Sequence, residues 1–80
     1  MPTIARGDGF RLFFHSNENN EPPHIHVQYQ SARAKFWIEP VALARNVGMN
    51  VSELRKSMRI VQRCEKAIMV KWNEHFSKKT

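Results

Sequence analysis

The chain is poor in the residues from which cross-links, metal centres and phosphate loops are built. It has one cysteine, Cys64, so no internal disulfide can form. A lone thiol fits a reducing compartment, and a cytoplasmic location is the expectation. No Cys or carboxylate spacing completes a recognised zinc pattern, so neither a metal nor another cofactor is expected. Three glycines, two of them in the single turn Gly7-Asp8-Gly9, supply no phosphate-cradling loop. No run of about 18 apolar residues exists, so no helix is expected to span a membrane. The opening Met1-Pro2-Thr3-Ile4-Ala5-Arg6 lacks the charged-then-apolar layout of a secretory signal. His15 and Ser16 are adjacent, which on a strand places them on opposite faces, and no nucleophile triad is readable.

What is present is short and basic. Eighty residues predict one domain, 1–80, and leave no room for a doubly wound α/β fold or an α/β barrel. Thirteen Lys and Arg against seven Asp and Glu give a formal charge of +6. Residues 1–40 hold four basic and four acidic side chains, whereas residues 41–80 hold nine and three. The excess charge therefore belongs to the second half.

The first half, 1–46, reads as sheet. Gly7-Asp8-Gly9 tolerates the positive φ of a tight hairpin. Phe10, Leu12 and Phe14 alternate with Arg11, Phe13 and His15. Ser16 to Pro23 is a loop of turn formers. Ile25, Val27 and Tyr29 then face one way, and His24, His26, Gln28 and Gln30 the other. Gln30-Ser31-Ala32 is short enough for a second hairpin. Ala34, Phe36 and Ile38 share a face opposite Lys35 and Trp37. Pro40 interrupts the run, leaving Val41 to Ala44 as at most a short edge strand.

After Gly48 the period changes from two to 3.6. Asn50 and Glu53 are spaced as a capping box, and Met49 and Leu54 as a hydrophobic staple. One amphipathic helix is expected within 50–77, from about Val51 to about Phe76. Leu54, Met58, Val61, Ile68, Trp72 and Phe76 form its apolar stripe, and Arg55, Arg59, Arg63 and Lys66 a separate basic stripe. Glu65 falls inside the apolar stripe, either as a rim residue or buried against a histidine or Arg11. Cys64 lies beside the stripe and reads as a small core or rim residue. The expected architecture is α+β: a small antiparallel sheet of about four strands with one long C-terminal helix packed across it. A helix of that length spans about 39 Å, so its end can overhang the sheet. Trp72 and Phe76 there either cap the core or meet a second copy in a homodimer.

Several segments together resemble one bacterial family. They are Met1-Pro2-Thr3-Ile4, Gly9-Phe10-Arg11-Leu12-Phe13-Phe14, Ser16-Asn17-Glu18, Glu21-Pro22-Pro23-His24-Ile25-His26-Val27, Ala34-Lys35-Phe36-Trp37-Ile38, Pro40-Val41, Gly48, Glu53-Leu54 and Trp72-Asn73-Glu74. The chain is similar to members of the domain-of-unknown-function 4160 family over essentially its whole length. That resemblance implies a small protein encoded beside a partner of the domain-of-unknown-function 2442 family. The arrangement is like that of a type II toxin–antitoxin module, with this chain as the toxin and the neighbour as its antitoxin-like partner. It implies no catalytic residues.

The residues themselves offer two candidate surfaces. His24 and His26 project from one strand face, about 7 Å apart at the backbone. Such a pair can bind a metal, or act as acid and base in RNA cleavage without one, with Lys35 steadying a phosphate and Trp37 stacking on a base. His15 is a third imidazole if register allows. The same pair is also at home on a solvated or partner-contacting sheet face. The stripe of Arg55, Arg59, Arg63 and Lys66 can track a phosphate backbone, dock on an acidic partner, or simply keep the protein soluble. Two functions follow from these surfaces and the resemblance. One is a toxin acting on RNA through the histidine-bearing face; the other is a non-enzymatic module that binds protein or nucleic acid.

Overall fold

A computed structural model of the chain describes residues 3–14 and 21–76. His15 and the segment Ser16-Asn17-Glu18 lie outside them. The described residues form five strands followed by two helices: β1 (Thr3–Gly7), β2 (Phe10–Phe13), β3 (His24–Tyr29), β4 (Ala32–Ile38), β5 (Val41–Val47), α1 (Val51–Arg63) and α2 (Glu65–Phe76). The strands pair antiparallel with their sequence neighbours, so the sheet is a meander in the order β1-β2-β3-β4-β5. The α+β class and the antiparallel sheet are as expected.

Local chemistry accounts for the corners. Asp8 and Gly9 both adopt positive φ, 52° and 84°, which gives the two-residue β1–β2 loop the backbone of a type I′ turn. A side chain at Gly9 would also come within 3.1 Å of the Tyr29 ring, which stacks on Phe10. At the β3–β4 corner Gln30 carries a positive φ of 55°. That conformation is unfavourable for any residue with a Cβ. Gln30→Gly should therefore raise stability, by up to about 1 kcal/mol, because the relieved strain outweighs glycine's entropy. The urea midpoint checks this, and an unchanged or lowered midpoint contradicts it. Pro40 sits in the β4–β5 turn, where its missing N–H costs no ladder bond. The strand after it consequently runs to Val47 and not only to Ala44.

One face of the sheet is the core. Phe10, Leu12, Ile25, Val27, Ala34, Phe36 and Ile38 pack there with Met49, Val61, Ile68 and Trp72. The helix start follows the expected box: the Glu53 N–H donates to Asn50 Oδ1 at 2.8 Å and the Asn50 N–H to Glu53 Oε1 at 3.0 Å. Met49 and Leu54 both join the core cluster.

The single long helix is corrected to two. At Cys64 the backbone leaves helical geometry (φ −101°, ψ 10°), and its N–H is shared between the Ile60 carbonyl at 3.0 Å and the Val61 carbonyl at 3.2 Å. The ladder resumes with the Ile68 N–H donating to the Cys64 carbonyl at 2.9 Å. This is a one-residue tightening in a run without Gly or Pro, and it divides the segment into α1 and α2. Of α2, Ile68 and Trp72 are buried. Hydrophobic periodicity does not register such a tightening, because the apolar phase is nearly the same on both sides of it. Trp72 takes the internal placement of the two open to it. It is buried against Phe14 (ring centroids 5.4 Å) and Phe76 (4.1 Å), with Phe76 half-buried beside them. Cys64 and Glu65 are both half-buried, Cys64 against the core.

Candidate nucleic-acid interface

The helices cover one face of the sheet; the register assembles the other. Phe13, His26, Lys35 and Arg45 are cross-strand partners in one row. Arg11, Gln28, Arg33 and Val47 form the next row, and His24, Trp37 and Ala42 a third. Arg45 is in the first row only because of a β-bulge. Lys35 pairs with Arg45 while Phe36 pairs with Leu43, so Ala44 is an extra residue on β5. Without it Lys35 would oppose Ala44, and Arg45 would point to the core face.

The resulting surface carries Arg11, Arg33, Lys35 and Arg45 on three strands. Arg11 Nη1 donates to Gln28 Oε1 at 3.4 Å, and its guanidinium lies 4.6 Å from the Phe13 ring centroid. The His26 ring stacks on Phe13 with centroids 5.7 Å apart. Lys35 Nζ lies 4.8 Å from the Trp37 ring centroid and pairs with the Glu21 carboxylate. Between the rows opens a cavity of about 230 Å³ lined by His26, Arg33, Ala34, Lys35, Arg45 and Val47. No described acidic residue lines it. Three cations and an imidazole around one concavity have the charge and the donors that an anion would need.

The two expected histidines are together but unequal. Their rings meet edge to face at 5.2 Å. His24 is fully buried, with Trp37 at 5.8 Å and Trp72 of α2 at 5.1 Å. Its Nδ1 lies 3.0 Å from the Pro22 carbonyl, to which it donates, and 3.7 Å from Glu21 Oε1. His26 is half-buried and reaches the cavity. The alternation that put both imidazoles on one face says nothing of the helix end that reaches round to cover one of them.

The basic stripe lies elsewhere. Arg55, Arg59 and Arg63 of α1 and Lys66 of α2 are exposed on the helical layer, and Trp37 belongs to the opposite face of the sheet. Trp37 and the stripe are therefore two surfaces, because the sheet separates them. Arg59 and Arg63 join Lys56, Ile60, Phe10 and Asp8 around a second cavity, where the acidic turn residue offsets part of their charge. The sequence reading missed Arg33 and Arg45. Arg33 was accessible to it, being two residues from Lys35 on the same strand. Arg45 was not, because its direction depends on the bulge.

Among the described residues no group of three or more His, Cys, Asp or Glu is placed to hold a metal ion. No helix is long and apolar enough to cross a membrane. Neither a curated protein nor a solved structure matches the chain significantly. Residues 9–73, which include all three rows of the outer face and both helices as far as Asn73, match the family model described as "Domain of unknown function (DUF4160)", and the chain belongs to that family.

Proposed function

We propose that the protein binds single-stranded RNA on the outer face of its sheet, and that it does so as the toxin of a two-gene toxin–antitoxin module. The observation that carries the RNA reading is the convergence of Arg33, Lys35, Arg45 and His26 on one cavity, with Arg11 and the Trp37 ring beside it. Cations there meet phosphates, and the half-buried Trp37 offers an aromatic edge to a base. The toxin role and its partner, a small antitoxin-like protein of the domain-of-unknown-function 2442 family, rest on the family resemblance.

Binding is favoured over cleavage by the burial of His24. An acid–base pair needs both groups within reach of the reacting atoms, and Trp72 closes off one of the two. His26 and Lys35 then act as ligands of the phosphate, and inhibition works by occupying RNA.

Fluorescence anisotropy with a labelled single-stranded RNA oligomer across a salt series tests the reading. Three to four phosphate contacts predict that log K falls with log salt at a slope of about −2 to −3. Absence of binding at the lowest salt overturns it. Inducible expression tests the toxin role separately: arrest relieved by the neighbouring gene product supports it, and undisturbed growth at high expression refutes it.

A further inference from the structure

The outer face is not a uniform basic plate. Its strongest concentration of charge closes on one point. Arg33 and Lys35 are two residues apart on β4, about 7 Å along the strand. Arg45 stands directly across from Lys35, about 5 Å away on β5. These three positions make a compact triangle, and all three side chains line the same cavity. A strand of phosphodiesters running over a surface is met by cations spread along its path. Cations that converge are suited to a single, more highly charged group.

The charge balance points the same way. Among the described residues, Arg33, Lys35 and Arg45 are opposed here by one carboxylate, Glu21, which pairs with Lys35 from the edge of the site. The balance is +2 with His26 neutral. An internal phosphodiester carries one negative charge, whereas a terminal phosphate monoester carries nearly two at neutral pH and presents three acceptor oxygens. Two guanidinium forks and an ammonium can satisfy three oxygens at once. The exposed Val47 side chain is an apolar surface beside the cations, against which a sugar can lie.

We infer that this cavity is a terminal-phosphate site, which takes the phosphomonoester at the end of an RNA strand. The inference deepens the RNA-binding reading and rests on it. Arg33 and Arg45 grip the phosphoryl oxygens, and Lys35 turns from Glu21 to the ligand. Nucleic acid that lacks a terminal phosphate meets the same cations only through singly charged internal phosphodiesters, and so more weakly.

The test compares three labelled RNA oligomers of one sequence, with a 5′-phosphate, a 3′-phosphate or neither. At least one phosphorylated form should bind about tenfold more tightly than the unphosphorylated one, and which form does so identifies the end recognised. Arg45→Gln and, separately, Arg33→Gln should remove that advantage, so that phosphorylated and unphosphorylated oligomers bind alike, each more weakly than to the unaltered protein. Circular dichroism confirms that each variant is folded. Equal affinity for all three oligomers overturns the terminal-phosphate site and leaves RNA binding standing. Should no oligomer bind, the RNA reading fails. Adenosine 5′-monophosphate and adenosine, followed by shifts of the arginine side-chain resonances, then decide the site. Shifts with the nucleotide alone support it; no shift with either overturns it.

Discussion

Reversing two charges on the sheet, Arg33→Glu with Arg45→Glu, should weaken single-stranded RNA binding by about a hundredfold or more. The same reversal on the helix, Arg55→Glu with Arg63→Glu, should change it by less than about threefold. Both pairs alter the net charge equally, so bulk electrostatics cannot distinguish them. Position does. Arg33 and Arg45 border one cavity with Lys35 and His26, whereas Arg55 and Arg63 lie on the helical layer beyond the sheet. The sheet variant removes two phosphate contacts and surrounds Lys35 with carboxylates. It should also flatten the salt dependence, because each lost contact removes about 0.7 from the slope. All four arginines are exposed, so the fold should be affected by no more than about 0.5 kcal/mol. Anisotropy titrations of the two variants at one salt concentration suffice. If the helix variant loses as much affinity as the sheet variant, the assignment of the RNA face is wrong.

The second large effect concerns the end of α2. Trp72→Ala should cost about 3–5 kcal/mol. A domain of this size has about 4–12 kcal/mol in total, so most of the stability goes, and the melting temperature should fall by 12 °C or more, at about 4–8 °C per kcal/mol. The indole is 7% exposed and touches Phe14, His24 and Phe76 at centroid distances of 5.4, 5.1 and 4.1 Å. Its removal leaves a void at the end of the core and opens His24 to water. Val70→Ala, two residues earlier on the same helix, is the control. Val70 is 55% exposed, and the change should stay within about 0.5 kcal/mol. Chemical denaturation of the two variants measures the contrast. A loss below about 1 kcal/mol for Trp72→Ala would mean that α2 does not seal the core.

The legible parts of this protein share a short range. The Asp8-Gly9 turn, the Asn50–Glu53 box and the alternation along β3 and β4 each involve residues within a few positions of one another, and each formed as its local chemistry predicts. The apolar stripe on the C-terminal segment likewise marked Val61, Ile68 and Trp72 as core. The candidate site was legible in part. His26, Lys35 and Trp37 do share the outer face, because a period of two assigns faces within a strand. Period alone does not say which neighbours a strand receives, so Arg45 could not be added and Trp37 could not be separated from the helical arginines.

The sequence by itself determined the class of fold, the corners of the sheet, the start of the helix and the half of the chain that carries the charge. Those follow from backbone propensity, capping and side-chain period, all of which act between near neighbours. Tertiary structure decided the rest. The extra Ala44 turned Arg45 to the outer face, the packing of α2 set Trp72 against His24, and strand register collected Arg33, Lys35, Arg45 and His26 around one cavity. These depend on which distant segments gain most by packing together. Of the charges that composition presents as one sum of +6, Arg33, Lys35 and Arg45 therefore lie on one surface and Arg55, Arg59 and Arg63 on another, divided by a sheet.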